Sequence, residues 1–593
     1  MTMRCNHSIL ISTLLLVFLL TSCRTDPKLP PIGQDTTVNI RIPSDPLGLN
    51  FLLNHDENAI PIMRQLALPL CDFNEKTFKL EPVLVKSAPI TKEITEGPDA
   101  GLVAYTFDIQ EEAVWDNGTP ITAKDFIFTV KAVFNPHYRS LYTDQFILID
   151  RIEVDPMSEK KFTVYSQKYV LGKESLSNFT ILPAHLLDPE NIYANYTLKD
   201  LQNTENKEKY SSDEQLKKLG ALLSSPKNMG QDGELSGSGP YKLKAWKTGE
   251  SLVLVKKENW WGSSLSNKYS RLTAIPKRIT YKIVPDFNAA ISLMRNGEID
   301  IISKAEVREI VKLKEDDFFK EKFNFYAPSI YRHLFIMLNT LDPKLTDKKV
   351  RRALAHLIDL KELSDAIYMG EDNVVKTPVH PSKSYYHKGL TPIDYNVEKA
   401  KALLQEAGWS DTNNNGIVDK IINGELTELN LEYSYYAPSK NAADLGQLYK
   451  EAAQPAGVNI VVTSMEGRPL QMGWRNKSFE LSTAGTSCYP FYDDFHLKWN
   501  SQSGSNYFSF GNAESDEIIE TIKKTTDPKK LNDLYMRFQE IVYDEQPVIF
   551  IHTGFNQIMA HKKFGQLTTS QLSPGYFVNE LSLKTIPVAV SPN

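Results

Sequence analysis

The chain is poor in the residues from which most catalytic and metal centres are built. Its 593 residues hold four cysteines and 11 histidines, and the histidines are dispersed. There is no Gly-x-Ser-x-Gly elbow, no His-Glu-x-x-His helix and no phosphate-cradling loop ending in Gly-Lys-Ser/Thr. Acyl transfer, zinc proteolysis and nucleotide chemistry therefore lack their usual sequence carriers, and an enzyme is not expected. No sign of charge dominates either: 67 Lys and Arg face 73 Asp and Glu, a formal net charge of -6. That leaves no electrostatic footprint for a polyanion, so nucleic acid is excluded as a partner. Long apolar runs are also missing. The run Ile9–Leu20, preceded by Arg4 and His7, is too short to cross a bilayer as a helix but has the length of a signal-peptide core.

Leu20-Thr21-Ser22-Cys23 follows that run directly and resembles a bacterial lipobox, whose cysteine is acylated before cleavage makes it the new N-terminus. The expected layout is a signal peptide over 1–22 and a lipidated, proline-rich tether over 23–35, holding a folded body to a membrane from outside the cytoplasm. Cys5 leaves with the signal. Cys71 and Cys488 remain, either as two buried thiols or as a disulfide in an oxidising envelope.

With 41% hydrophobic and 24% charged residues the body is ordinary globular material, and its length suits two or three domains rather than one core. Thr36–Ile42 and Val103–Ile109 alternate as strands. In Gly237–Gly262, Tyr241, Leu243 and Ala245 alternate with lysines, and Leu252–Val255 returns after a turn near Thr248-Gly249, which predicts a β-hairpin. Trp260 and Trp261 follow; in an extended chain they would point to opposite sides, leaving one free to cover a cleft. At Ala113–Asn135, Asp116-Asn117-Gly118 reads as a turn, and Thr122 with Asp125 as a capping box on a helix with Phe126, Val130, Val133 and Phe134 on one stripe. Further helices are expected over Asn288–Asn296, from a cap at Thr346 or Asp347 through Ile358, over Asn396–Trp409 closed by Gly408, over Ala442–Gln454 and over Leu531–Tyr543. Arg351 and Arg352 suit a solvated helix face or an anion site. Strands over Thr427–Tyr436 and Val458–Met465 flank a helix, a β-α-β order that calls for parallel pairing.

These segments carry a resemblance. GSGPY at 237–241 with NWWG at 259–262 is similar to the GTGPY…NPxYWG signature of family 5 extracellular solute-binding proteins, the peptide, dipeptide and nickel receptors of ABC importers. Four further stretches, 113–135, 275–300, 331–363 and 396–409, resemble that family's motifs in the family's order. The resemblance implies an α/β, two-lobed periplasmic-binding-protein-like fold with an extra inserted small domain and a ligand cleft between the lobes. The implied division is lobe I over 36–65, 181–298 and 546–593, the insertion over 66–180 and lobe II over 299–545.

It also implies the function: a monomeric lipoprotein in the cell envelope that captures a small solute, foremost a peptide, and delivers it to ABC permease subunits. A lipoprotein that senses ligand without transport, or that binds an oligosaccharide or another polar solute, shares the same features. The implied ligand residues are Trp260, Trp261, Tyr489, Phe491, Tyr492, Asp493, Asp494 and Trp499. Within 479–499 the family carries an aspartate that pairs with a ligand amine. That position is Cys488 here, so Asp493 or Asp494 would have to take over its role. No cofactor is implied. A structural calcium ion is the one metal candidate, because Asp411, Asn413, Asn415, Ile417 and Asp419, with Gly416 sixth, follow the spacing of an EF-hand loop, although position twelve is Ile422.

Overall fold

A computed structural model describes residues 36–584 apart from 51, 53–55, 139, 141, 226, 228–229, 231–234, 236, 267, 369, 371–372 and 489. The signal segment, Cys23 and Tyr489 lie outside the described residues. Two sheets organise the molecule. The first has seven strands in the order Phe323–Tyr326, Gln557–His561, Ile301–Ala305, Thr37–Ile42, Arg278–Ile283, Ser251–Lys256 and Tyr241–Lys247. Thr37–Ile42 runs parallel to both of its neighbours, and Val38, Ile40 and Ile42 on its buried face explain its central place. The second sheet has six strands: Asn373–Val374, Val548–Thr553, Arg332–Leu338, Leu481–Ser487, Asn430–Tyr436 and Asn459–Met465. Its last two are parallel and joined by the helix Lys440–Ala453, as the β-α-β order requires.

An antiparallel four-stranded sheet, Ile90–Glu93, Leu102–Asp108, Ser158–Gln167 and Ile149–Asp155, forms the small inserted unit. Its core is continuous with that of lobe I: Phe107, Phe126 and Phe162 share one cluster with Val38, Tyr241 and Tyr281. The capping box forms as expected, with Thr122 N–H donating to Asp125 Oδ2 at 2.9 Å. Asp347 caps its helix. Arg351 behaves unlike either expectation. It is buried, and its guanidinium donates to the carbonyls of Leu345, Thr346 and Glu545, tying the start of one helix to the end of another. Arg352 likewise donates to the Tyr543 carbonyl.

Sheet membership moves the expected lobe boundaries. Ile301–Ala305 and Phe323–Tyr326 belong to the first sheet and Val548–Thr553 to the second, so the chain crosses between lobes at 327–331 and 554–556, not at 298/299 and 545/546. Val548–Thr553 pairs within the second sheet, and Gln557–His561 makes the return to the first. Helical and strand periodicity locate elements well, but neither encodes which sheet a strand joins.

Candidate ligand cleft

The two crossing segments pair with each other. Ile330 N–H donates to the Gly554 carbonyl at 3.0 Å, Asn556 N–H donates to the Pro328 carbonyl at 2.9 Å, and Ser329 bridges Phe555 antiparallel. A two-stranded crossing lets the lobes bend about one axis and resists twist, the device of hinge closure around a ligand. Side chains of the two lobes also meet. Phe73, beside Asp72 whose carboxylate pairs with Arg64 and Arg271 of lobe I, stacks on Phe491 of lobe II with centroids 4.9 Å apart. Phe78 meets Tyr331 edge-on at 5.5 Å. From the inserted unit, Tyr169 donates its hydroxyl to Asp494 at 2.6 Å, and Val170 N–H donates to the Lys523 carbonyl.

The lobe II wall is built where Leu481–Ser487 ends beside the start of Arg332–Leu338, with Arg332 paired to Ser487. Cys488 N–H then donates to the Tyr331 carbonyl at 2.8 Å. Asp493, the fifth residue beyond Cys488, is nearly buried; Lys383 Nζ lies 2.5 Å from its Oδ1 and Tyr385 donates to its Oδ2 at 3.1 Å. Burial raises the Asp493 carboxyl above the ordinary aspartate range, against the pull of Lys383. Burial likewise pushes the Cys488 thiol up to about 12, which keeps it neutral. Lys498 reaches the same corner and donates to Thr486 Oγ1.

On the lobe I side, Glu57 accepts from Lys304 at 2.7 Å and stands 4.0 Å from Arg332 across the gap. Lys304 is held in a left-handed conformation, φ 58°, by its N–H bond to Asn556 beside the crossing. The corner between the hinged lobes is therefore aromatic on one flank and charged on the other. It carries donors, acceptors and stacking faces, and no assembled nucleophile and base.

Residues 80–508 match the model of the bacterial extracellular solute-binding proteins, family 5. The chain belongs to that family. The oligopeptide-binding protein AppA of Bacillus subtilis is 25% identical over 523 residues, 87% of this chain and 85% of the relative. The dipeptide-binding protein DppE of the same organism is 23% identical over 480 residues, covering 77% and 76%. Among solved structures, AppA of B. subtilis in complex with a nonapeptide superposes with a TM-score of 0.69 at 21% identity, covering 93% of this chain and 99% of that one. The two-lobed α/β fold is thus the family's fold, and the protein is a solute-binding receptor, not an enzyme. No helix among the described residues is long and apolar enough to cross a membrane.

In this family 5 receptor the anticipated site residues fall into three groups. Phe491, Asp493 and Asp494 stand at the cleft, and Tyr492 lies behind it, stacked on Tyr385 and Tyr535. Tyr489 is outside the described residues. Trp260 and Trp499 are buried in the cores of their lobes. Trp499 is a core residue among Phe508, Phe538 and Phe550. Trp260 and Trp261 both donate their indole N–H to the Ser238 carbonyl, at 3.0 and 3.2 Å; Trp260 is buried in the lobe I core and the half-buried Trp261 packs against it. The chain turns into a 3-10 helix at Trp261, so the extended geometry that would separate the two rings never forms.

The same corner explains the signature's glycines. A Cβ on Gly237 would strike the Leu66 carbonyl, one on Gly239 the Gln65 carbonyl, and one on Gly262 the Trp260 ring. Asp116 of the second motif closes the assembly by accepting from Gly237 N–H at 3.1 Å and pairing with Lys257. The segment 237–239 is consequently a fixed packing joint and not a hinge.

Cys71 and Cys488 are both free thiols. The loop at 411–419 turns its oxygens inward. Asp411 accepts from the N–H groups of Asn415 and Gly416, Asn413 from Asn415, Asn415 from Ile417, and Asp419 is buried against Thr412. With Ile422 in the twelfth position, this donor set fits a calcium ion poorly, and among the described residues no cluster of three acidic, histidine or cysteine side chains converges as a metal site.

Sequence reasoning missed Lys383, Tyr385, Lys498, Phe73 and Arg332. The signal available for one of them was the Asp493-Asp494 pair amid aromatic residues, since a buried carboxylate demands a cation. Nothing local says that the cation lies 110 residues earlier in the chain.

Proposed function

We propose that this receptor captures peptides between its lobes and hands them to the permease subunits of an ABC importer, while anchored by lipid on Cys23 to the outer side of a membrane as a monomer. The observation that carries the reading is the paired crossing at 327–331 and 554–556, with Phe73 and Phe491 stacked between the lobes. Such a hinge encloses an extended ligand and leaves the exposed ends of two sheets to supply backbone hydrogen bonds, a mode tolerant of side-chain sequence. The oligopeptide and dipeptide receptors among its relatives support the same ligand class. Calorimetric titration of the purified mature chain with mixed di- to hexapeptides tests it. Saturable binding is expected; no heat from any length removes peptides as the ligand. Replacing Cys23 with Ser should release the protein from the membrane fraction if the anchor is the acylated thiol.

A further inference from the structure

The lobe II wall carries more charge than a peptide receptor needs to hold a bare backbone, an inference that rests on the peptide reading. Asp493 is already occupied by Lys383 and Tyr385. Lys498 lies within electrostatic reach of Asp493 and of the neutral Cys488 thiol. Its ammonium has three donors, of which Thr486 Oγ1 takes one. Solvent reaches Lys498, yet protein crowds it enough that burial lowers its pKa even with Asp493 nearby. Among the described residues no carboxylate forms an ion pair with it. Asp494 is turned toward Tyr169 of the inserted unit and the N–H of His496.

The opposite flank of the same strand end repeats the pattern. The Arg332 guanidinium lies over Gly485, where a Cβ would come within 3.1 Å of Nε. Glu57, its nearest acid at 4.0 Å, is already paired with Lys304 at 2.7 Å. Each flank thus sets two cations against one carboxylate. An incoming ammonium would be a third cation on a partly desolvated wall, where like charges are poorly screened. A carboxylate would satisfy the spare donors of Lys498 and Arg332 with charge-assisted bonds.

We propose that the end of the strand Leu481–Ser487 is a carboxylate-binding subsite, in which Lys498 and Arg332 hold an anionic group of the ligand and discriminate against a free amine there. The ligand class is therefore a peptide that presents an acid, from a side chain or an acylated terminus, at this end of the cleft.

Tri- to pentaalanine, each with a free, an N-acetylated and an N-succinylated terminus, are the probes, titrated by calorimetry into wild type, Lys498→Met and Lys498→Arg, with melting temperatures read alongside. The succinylated form should bind at least about tenfold more tightly than the free-amine form. Lys498→Met should remove most of that advantage while leaving the acetylated form's affinity unchanged, and Lys498→Arg should retain it. Tighter binding of the free-amine form, or an equal loss for all three forms in Lys498→Met, overturns the inference alone. Failure of every form to bind overturns the peptide reading, and this inference with it.

Discussion

Two buried aspartates, one in each lobe, stand in contrasting company. Asp72 accepts from Phe73 N–H and Asn178 on one oxygen and from Arg271 on the other, with Arg64 at 3.1 Å and Glu75 completing the group. Two carboxylates thus face two guanidiniums. Burial alone would raise the Asp72 pKa, but Arg64 and Arg271 outweigh it and hold the carboxyl below its ordinary range. Asp493 has one ammonium and one phenol, its pKa is raised, and a second ammonium stands nearby. A saturated, neutral cluster has nothing left to offer a ligand and fixes the fold. An unsaturated cluster with surplus charge beside a cleft keeps part of its bonding capacity for what the cleft receives. Residue type does not separate the two cases; the count of partners does.

The largest effect should come from breaking the saturated cluster. Asp72→Ala leaves two buried guanidiniums facing one glutamate and should cost about 3–5 kcal/mol in urea unfolding. Breaking the other cluster should cost less. Asp493→Asn strands the Lys383 ammonium, but a lysine can shed its proton where an arginine cannot, so a loss of about 2 kcal/mol is expected. The same variant raises the net positive charge of the wall. It should therefore bind succinylated peptide at least as tightly as wild type, and loss of that binding would return Asp493 to the role of ligand anchor.

Acid separates the lobes in a third way. Burial holds His333, His356, His380 and His552 of lobe II below the usual histidine range, His380 and His552 at about 4. Lobe I has His561 at about 4. The unfolded chain takes up protons near pH ~6.5 that these folded histidines refuse, so their stability contribution is complete above that pH. For His380, His552 and His561 it is lost as pH falls from ~6.5 toward ~4, at about 3 kcal/mol for each. Asp72, with its pKa depressed, keeps its contribution above the ordinary aspartate range and loses it only at lower pH. Hydrogen exchange at pH 5 should accordingly show lobe II amides losing protection before those around Asp72. The reverse order would mean that histidine burial does not set the acid limit.

The Phe73–Phe491 stack joins the two lobes near the Asp72 cluster and should act on closure more than on folding. A double-mutant cycle to alanine is expected to give a coupling of about 1 kcal/mol in peptide affinity. A coupling that shows in unfolding and not in binding would make the stack a structural contact.

Much of the fold was legible because its carriers are local. Capping at Thr122, the Gly249 turn, the helix ended by Gly297 and the β-α-β unit over 430–465 each follow from a few neighbouring residues. The cleft was legible only in part. Asp493, Asp494 and Phe491 stand out in the sequence because aromatic and acidic residues cluster there, whereas Lys383 and Phe73 arrive from distant segments that fold for other reasons. The tryptophans misled because paired aromatic residues mark cores and ligand walls alike. What decided between them was a backbone turn at Trp261 and the Ser238 carbonyl, to which both indoles reach from more than 20 residues away.

The smallest expected effect concerns the loop at 411–419, where regular spacing of oxygens met a fold that uses them otherwise. The Asp419 carboxylate is 1% exposed and accepts from both Thr412 N–H and Thr412 Oγ1, so turning it outward to a cation would break two bonds and uncover a packed side chain. Asp411 already terminates two backbone N–H groups. The loop is thus saturated in the same sense as the Asp72 cluster, by hydrogen bonds where that one uses guanidiniums. Adding millimolar calcium, or removing it with a chelator, should leave the melting temperature within about 1 °C, since binding at or below the dissociation constant contributes no more than RT ln 2. A rise of several degrees, abolished by Asp411→Ala, would show that the loop rearranges to hold the ion and that saturation by its own backbone is no bar to a ligand.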